Sequence, residues 1–181
     1  MNLYVLRHGQ TNINVKNKIN GWNIWGLNRV GKEEARKASE KVKRIPLDLI
    51  VCSPLRRARQ TCKIVNVNNV KVIIDKRVIE RDTGTKQYTS CKSEDIDVNI
   101  WYDITKEKIF KNTEGFKSMV ERAIDVLQEL KQQFPGKDKN VLIVTHGDFA
   151  RAIMVALTNE RDKERIWKFD QGNCEIVKYE M

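Results

Sequence analysis

Apolar residues along this chain fall into short blocks, separated by longer stretches in which they recur every three or four positions. The blocks Leu3–Leu6, Leu47–Cys52, Val70–Ile74, Val141–Thr145 and Cys174–Tyr179 read as strands. Several are nearly continuous apolar runs, the pattern of central strands covered on both faces. Between them, Gly31–Ile45 places Ala35, Ala38, Val42 and Ile45 on one helical stripe, and Leu55, Ala58, Cys62 and Val65 form another. Phe116, Met119, Val120, Ala123, Ile124, Leu127, Leu130 and Phe134 form the longest, stopped by Pro135-Gly136. Phe149, Ala152, Ile153, Ala156 and Leu157 mark a last helix. Strands alternating with helices predict an α/β fold.

Residues 83–112 lack a clean period and mix Thr, Lys, Asp and Ser with Trp101 and Tyr102. This stretch reads as an irregular insertion or lid over the sheet edge. With 181 residues, the chain has room for one domain, and residues 1–181 are expected to form it. No apolar run approaches the ~20 residues of a membrane helix, so no membrane association is expected. The amino-terminal residues read as a strand and not as a signal peptide, which points to the cytoplasm. Cys52, Cys62, Cys91 and Cys174 form no C-x-x-C pair, so they read as small unpaired hydrophobes. The residues six positions after them are Ala58, Asn68, Asp97 and Glu180, none of them Arg, which excludes a thiol phosphatase loop. The net charge of +10 admits an anionic partner, but the basic residues form no block and no nucleic-acid motif accompanies them.

The chain has two histidines, in like settings. His8 follows Leu3–Leu6, His146 follows Val141–Thr145, and each precedes a glycine, Gly9 or Gly147. Ligands of open α/β sheets bind outside the carboxyl ends of the strands, and glycine lets backbone approach them closely. After a third strand stands Ser53-Pro54-Leu55-Arg56-Arg57-Ala58-Arg59, with Ser53 as the expected helix N-cap and Pro54 at the first helical position. Three arginines at the positive end of a helix are a local conflict, which a bound phosphate would remove. A fourth strand region ends in Val78-Ile79-Glu80-Arg81-Asp82. Glu80 there is either a desolvated carboxyl able to hold a proton or a salt-bridge partner of Arg77 or Arg81.

These residues resemble the motifs of the histidine phosphatase superfamily, in the branch that includes cofactor-dependent phosphoglycerate mutase. The resemblance runs from Leu6-Arg7-His8-Gly9-Gln10-Thr11 with Asn14, through Asn17 with Gly21-Trp22, and Leu27 with Gly31. It continues over Ser53–Thr61, Glu80-Arg81 with Gly84, Thr113-Glu114 with Arg122, His146-Gly147 and Asn173. It implies a three-layer α/β/α sandwich with a mostly parallel central sheet. It also implies that His8 is a nucleophile, that Arg7, Arg57 and His146 surround the phosphoryl oxygens, and that Glu80 donates a proton, with Asp82 as the competing acid. Asn14, Asn20, Gly21, Arg81 and Gly147 complete the implied phosphate and substrate contacts. The chain departs from the family pattern at Gln10, at Thr85-Lys86-Gln87 and at Asp148, and the last two bear on the substrate pocket.

A neutral imidazole can attack phosphorus, and clustered cations offset the charge of a loose transition state. No metal and no cofactor are therefore expected. The expected activity is metal-independent hydrolysis of a phosphorylated small molecule through a phosphohistidine, by a monomer or homodimer. The alternative within the family is a phosphoglycerate mutase, disfavoured because the 83–112 insertion is short for a closed cover. The alternative from another class is an idle or nucleic-acid-binding relative.

Overall fold

A computed structural model describes residues 1–92, 95–136 and 138–181. In chain order the elements are β1 (Asn2–Arg7), α1 (Asn12–Val15), α2 (Arg29–Val42), β2 (Leu49–Cys52), α3 (Arg56–Val65) and β3 (Val72–Ile74). After them come α4 (Val98–Trp101), α5 (Phe116–Gln133), β4 (Asn140–Thr145), α6 (Gly147–Thr158), α7 (Lys163–Lys168) and β5 (Ile176–Glu180). The strands form one sheet in the order β3-β2-β4-β1-β5. Three of its pairings are parallel, and β5 runs antiparallel to β1.

Alternation along the strands explains the three layers. Leu3, Val5, Leu49, Val51, Val141 and Ile143 pack on one face with residues of α5 and α6. Leu6, Ile50, Cys52, Leu142 and Val144 pack on the other with Ala35, Ala38 and Val42 of α2 and Ala58, Cys62 and Val65 of α3. Because neighbouring positions feed opposite layers, β2 and β4 are buried along their whole length. The fold is the α/β/α sandwich expected from the chain.

Several local expectations are corrected. The apolar run Val70–Ile74 is not a covered strand: only Val72–Ile74 pairs, at the sheet edge, and its side chains are exposed. The approach to Glu80 is not a strand either. Lys76–Val78 form a 3₁₀ turn, capped by the Asp75 carboxylate accepting from the Arg77 amide, and the chain then runs on extended outside the sheet. The insertion is better ordered than its pattern predicts, with a 3₁₀ turn at Gly84–Lys86 and the single helical turn α4. Its Trp101 and Tyr102 are buried in the layer of α5 and α6. Residues 93 and 94 of that stretch lie outside the described residues. Among the described residues, no helix is long and apolar enough to cross a membrane.

Register is what assembles a site from distant motifs. Arg7 of β1 pairs with Thr145 of β4, and Cys52 of β2 pairs with Val144 of β4. The chains therefore leave the sheet side by side, and the next residues are His8, Ser53 and His146.

Candidate active site

His8 stands at the end of β1, buried to 1% exposure. Its Nδ1 lies 2.7 Å from the Gly9 carbonyl oxygen. A carbonyl only accepts, so Nδ1 carries the proton and Nε2 carries the lone pair. Nε2 in turn accepts from Arg57 Nε at 3.1 Å. Burial, reinforced by the charges of Arg57 and Arg7, holds His8 well below the ordinary histidine pKa. The result is a neutral imidazole with its reactive nitrogen turned toward a guanidinium.

Arg57 reaches His8 from the first turn of α3 and is fully buried. Its other nitrogens donate to the carbonyls of Gly21 at 2.8 Å and Asn23 at 3.5 Å. Burial lowers its pKa to about 10, which leaves it charged at neutral pH. The arginine conflict at this helix is thus settled one residue at a time: Arg57 turns inward, while Arg56 and Arg59 are exposed. Ser53 is not the N-cap. Leu55 occupies that position without a side-chain bond and Pro54 falls before the helix, while the Ser53 hydroxyl accepts from the Leu55 amide at 3.3 Å and lies 2.7 Å from Nε2 of His146.

His146 is buried, and its ring centroid lies 5.1 Å from that of His8. Burial and the neighbouring Arg57 depress its pKa as well. Its Nδ1 is buried with no hydrogen-bond partner among the described residues, and so is Nε of Arg7. Arg7 is otherwise held by the Gln171 carbonyl at 2.7 Å and by Asp170 at 3.6 Å. Buried polar atoms without partners are costly unless a ligand satisfies them.

Glu80 lines the same cavity, about 550 Å³ in volume, which Arg7, His8 and Asp148 also line. One carboxyl oxygen accepts from the Arg81 amide, and the Glu80 carbonyl accepts from the Trp22 indole at 2.7 Å. Burial, aided by the negative charge of Asp148, raises its pKa despite Arg57. Among the described ion pairs Glu80 has none, since Arg77 binds Asp75, Asp125 and Glu129, and Arg81 faces Asp148. Asp82 does not line the cavity; its carboxylate accepts from the Gly84 amide. Glu114 and Arg122 form a two-pronged pair, and Arg122 also donates to the Ile79 carbonyl, fixing the segment that carries Glu80.

The remaining expected residues fall around this cavity. Asn14, Asn20, Gly21, Arg81 and Gly147 all line it. Asn14 and Asn20 both accept from the Thr11 hydroxyl, and Asn14 also accepts from the Thr11 amide in a capping box on α1. Gly21 sits at φ +53°, and a Cβ there would stand 2.2 Å from the Thr83 hydroxyl oxygen. Gly9 differs from expectation. A Cβ on it would strike the Gly31 carbonyl at 2.4 Å, so it serves the packing of the His8 turn on α2 and not a ligand.

Sequence reasoning passed over Ser53 as a partner of His146, and Trp22 as the clamp on Glu80. It also gave no role to Arg151 and Trp167, which line the cavity. Asp148 drew notice only as a departure from the family pattern. Its position, in the first turn of a helix opening behind His146, was the available signal.

Comparison with known proteins identifies the family and the fold. The family model of the histidine phosphatase superfamily (branch 1) matches residues 3–181. The uncharacterized phosphatase PhoE of Bacillus subtilis is 30% identical over 158 residues, which cover 85% of this chain and 76% of that protein. A 2,3-bisphosphoglycerate-dependent phosphoglycerate mutase of Parvibaculum lavamentivorans is 31% identical over 195 residues, with coverage of 99% and 90%. Among solved structures, a mycobacterial glucosyl-3-phosphoglycerate phosphatase in complex with VO3 superposes with a TM-score of 0.85 at 25% identity, covering 98% of this chain and 91% of that one. With two buried histidines facing each other across the ends of β1 and β4, and the match running almost from end to end, the chain belongs to the histidine phosphatase superfamily.

Proposed function

We propose that this chain hydrolyses phosphomonoesters through a phosphohistidine formed on His8. The observation that carries the reading is the Nδ1–H bond to the Gly9 carbonyl, which leaves a neutral Nε2 lone pair facing Arg57. Nε2 attacks phosphorus as the bond to the leaving oxygen breaks, and Glu80 delivers its proton to that oxygen. Water then attacks the phosphohistidine and gives a proton to the Glu80 carboxylate. Inorganic phosphate departs and His8 is restored.

Arg57 Nε exchanges its bond to His8 for one to a phosphoryl oxygen. The Ser53 oxygen already accepts from the Leu55 amide, so its hydroxyl proton is available to Nε2 of His146; in that tautomer Nδ1–H of the ring, like Nε–H of Arg7, is left for the phosphoryl oxygens. These donors are in place before substrate arrives, so little reorganisation accompanies the developing charge. Residues 83–112 bring Cys91, Ile96, Trp101 and Tyr102 to the cavity wall, in keeping with a lid built into the single domain. The four unpaired cysteines suit a reducing, cytoplasmic setting.

The second reading, a phosphoglycerate mutase, is supported by similarity to the Parvibaculum enzyme. Since the chain spans 90% of that protein, length does not separate the two. The ratio of 2-phosphoglycerate to inorganic phosphate formed from 3-phosphoglycerate separates them.

Rapid quench with a ³²P-labelled ester is expected to trap an acid-labile, base-stable label on His8. Label on Ser53 or Cys52 would sink the mechanism. Guanidinium groups supply the positive charge and neutral imidazole the nucleophile, so turnover is expected to survive EDTA and to be blocked by vanadate; loss on chelation restored by Mg²⁺ would point to another phosphatase chemistry.

A further inference from the structure

Two of the free cysteines lie together, each one residue from a group that holds the phosphoryl end in place. Cys52 closes β2, in register with Ile74 of the edge strand β3, and Cys62 lies on the face of α3 that packs on the sheet. Both line another cavity, about 340 Å³ in volume, whose wall also includes Arg59, Lys63, Val72 and Ile74. The two thiols hydrogen-bond to each other, and Cys52 Sγ also donates to the Ser53 carbonyl at 3.3 Å. Cys62 keeps 4% exposure and Cys52 none, so only a small reagent reaches the pair.

This contact makes the two sulfurs unequal. The S–H of Cys52 steadies a thiolate on Cys62 and lowers the Cys62 pKa against its burial, while the same bond and burial push Cys52 up. Burial raises the pKa of Cys91 and of Cys174. Thiolates react with oxidants where cations stand nearby, and Arg59 and Lys63 place them on this wall. Ser53, the next residue after Cys52, has its hydroxyl 2.7 Å from Nε2 of His146. Thr61, just before Cys62, accepts from the Gly9 amide at 3.1 Å and donates to the Arg57 carbonyl at 2.9 Å.

We propose that Cys52 and Cys62 are an oxidation site for hydrogen peroxide, closing to a disulfide that slows the phosphoryl end. The Cys62 thiolate attacks one peroxide oxygen, the O–O bond breaks, and the hydroxide released takes a proton and leaves as water. Cys62 is then a sulfenic acid. Cys52 sulfur attacks Cys62 sulfur, the S–O bond breaks, and the departing hydroxide leaves as water with the Cys52 proton. Two thiols are oxidised and one peroxide is reduced to two waters. A disulfide holds its sulfurs about 2 Å apart, well inside hydrogen-bond contact, so the end of β2 and the middle of α3 must shift and carry Ser53 and Thr61 with them. The effect on turnover rests on the phosphatase reading above; the bridge itself does not.

The test treats the full chain with hydrogen peroxide, blocks the remaining thiols and maps tryptic peptides without reduction. Trypsin cuts between the two cysteines, at Arg56, Arg57 and Arg59, so a bridge appears as two joined peptides. The joined pair is expected to form before Cys91 or Cys174 is oxidised. Turnover of para-nitrophenyl phosphate is expected to fall in step with it by about tenfold or more, and dithiothreitol to restore it. Cys62→Ser is expected to turn over at the wild-type rate and to lose this sensitivity. Absence of the joined pair overturns the inference while the phosphatase reading stands. So does earlier oxidation of Cys91 or Cys174, a bridged chain with undiminished turnover, or a Cys62→Ser protein as sensitive as the wild type. A reduced wild type that hydrolyses no phosphomonoester overturns the phosphatase reading, and the peptide map then decides the bridge by itself.

Discussion

The two ends of the cavity treat charge in opposite ways. At the phosphoryl end, Arg7 and His146 keep buried nitrogens without partners, and His8 offers a lone pair that only Arg57 touches. At the leaving-group end, Arg81 and Arg151 share a carboxylate that also receives an indole and a phenol. The first presents unpartnered donors beside a lone pair, while the second is centred on the Asp148 carboxylate, although the terminal nitrogens of Arg81 are also buried without hydrogen-bond partners among the described residues. The difference follows from where each end is built. Strand ends in register hold the first rigidly, so its unmet donors cannot relax toward one another. The second combines the first turns of α6 with α4 and its flank, whose buried side chains come from stretches far apart in the chain. A phosphoryl group is the constant part of every phosphomonoester and the alcohol the variable part, so a site at strand ends beside a wall drawn from an aperiodic stretch suits a family with one chemistry and many substrates.

The sharpest division between the ends comes from His8→Ala. Loss of the nucleophile is expected to lower turnover by a factor on the order of 10⁶, equally for every leaving group. Steady-state assays on aryl and alkyl phosphates check this, and a loss confined to one class would place the nucleophile elsewhere.

Glu80→Gln is expected to discriminate. An alkyl alcohol leaves poorly without a proton and an aryl alcohol leaves readily, so the loss should reach ~10²–10⁴ on alkyl phosphates and be much smaller for the first step on aryl phosphates. Asp82→Asn should be mild, since that carboxylate faces the Gly84 amide and not the cavity. The reverse ranking would move the acid away from Glu80. Because the pKa of Glu80 is raised, the wild-type rate on alkyl phosphates should fall as pH rises through it, and this limb should be absent in Glu80→Gln.

The smallest effect is on stability against pH. His8 and His146 have depressed pKa values in the folded chain, so below about pH 6.5 the unfolded chain takes up protons that the native one refuses. Each then contributes a loss of up to about 1.4 kcal/mol per pH unit as pH falls. Glu80 acts in the opposite sense: its raised pKa lets the native chain hold a proton that the unfolded chain releases, offsetting part of the loss. Melting Glu80→Gln between pH 7 and 5 should therefore show a steeper fall in Tm than the wild type. Equal slopes would mean that the two ends are not charged as described.

Much of the phosphoryl end was legible in the chain, because it depends on strand ends and local motifs. A histidine after an apolar run, followed by glycine, and a basic turn after Ser53-Pro54 are written in consecutive residues. Residue chemistry alone offered Arg57 as one of three arginines and the family resemblance singled it out; the physical reason is the face of α3 that turns toward Gly21 and Asn23. The approach to Glu80 read as a strand because Val78-Ile79 is apolar, yet the Asp75 cap and the Arg122 bonds turn the chain out of the sheet.

What the sequence determined by itself is whatever hydrogen bonding and burial dictate over a few neighbours: alternating strands and helices, both histidines at strand ends, and a family motif at each. What only the tertiary structure decided is which distant groups share a charge. Asp148 meets Trp101 and Tyr102 from 47 and 46 positions away, and Arg81 from the loop before α4. Such pairings depend on the register of β1, β2 and β4 and on how an aperiodic stretch folds back over their ends. No local pattern encodes that, because the energy of a buried charge is set by everything packed around it and not by its neighbours in the chain.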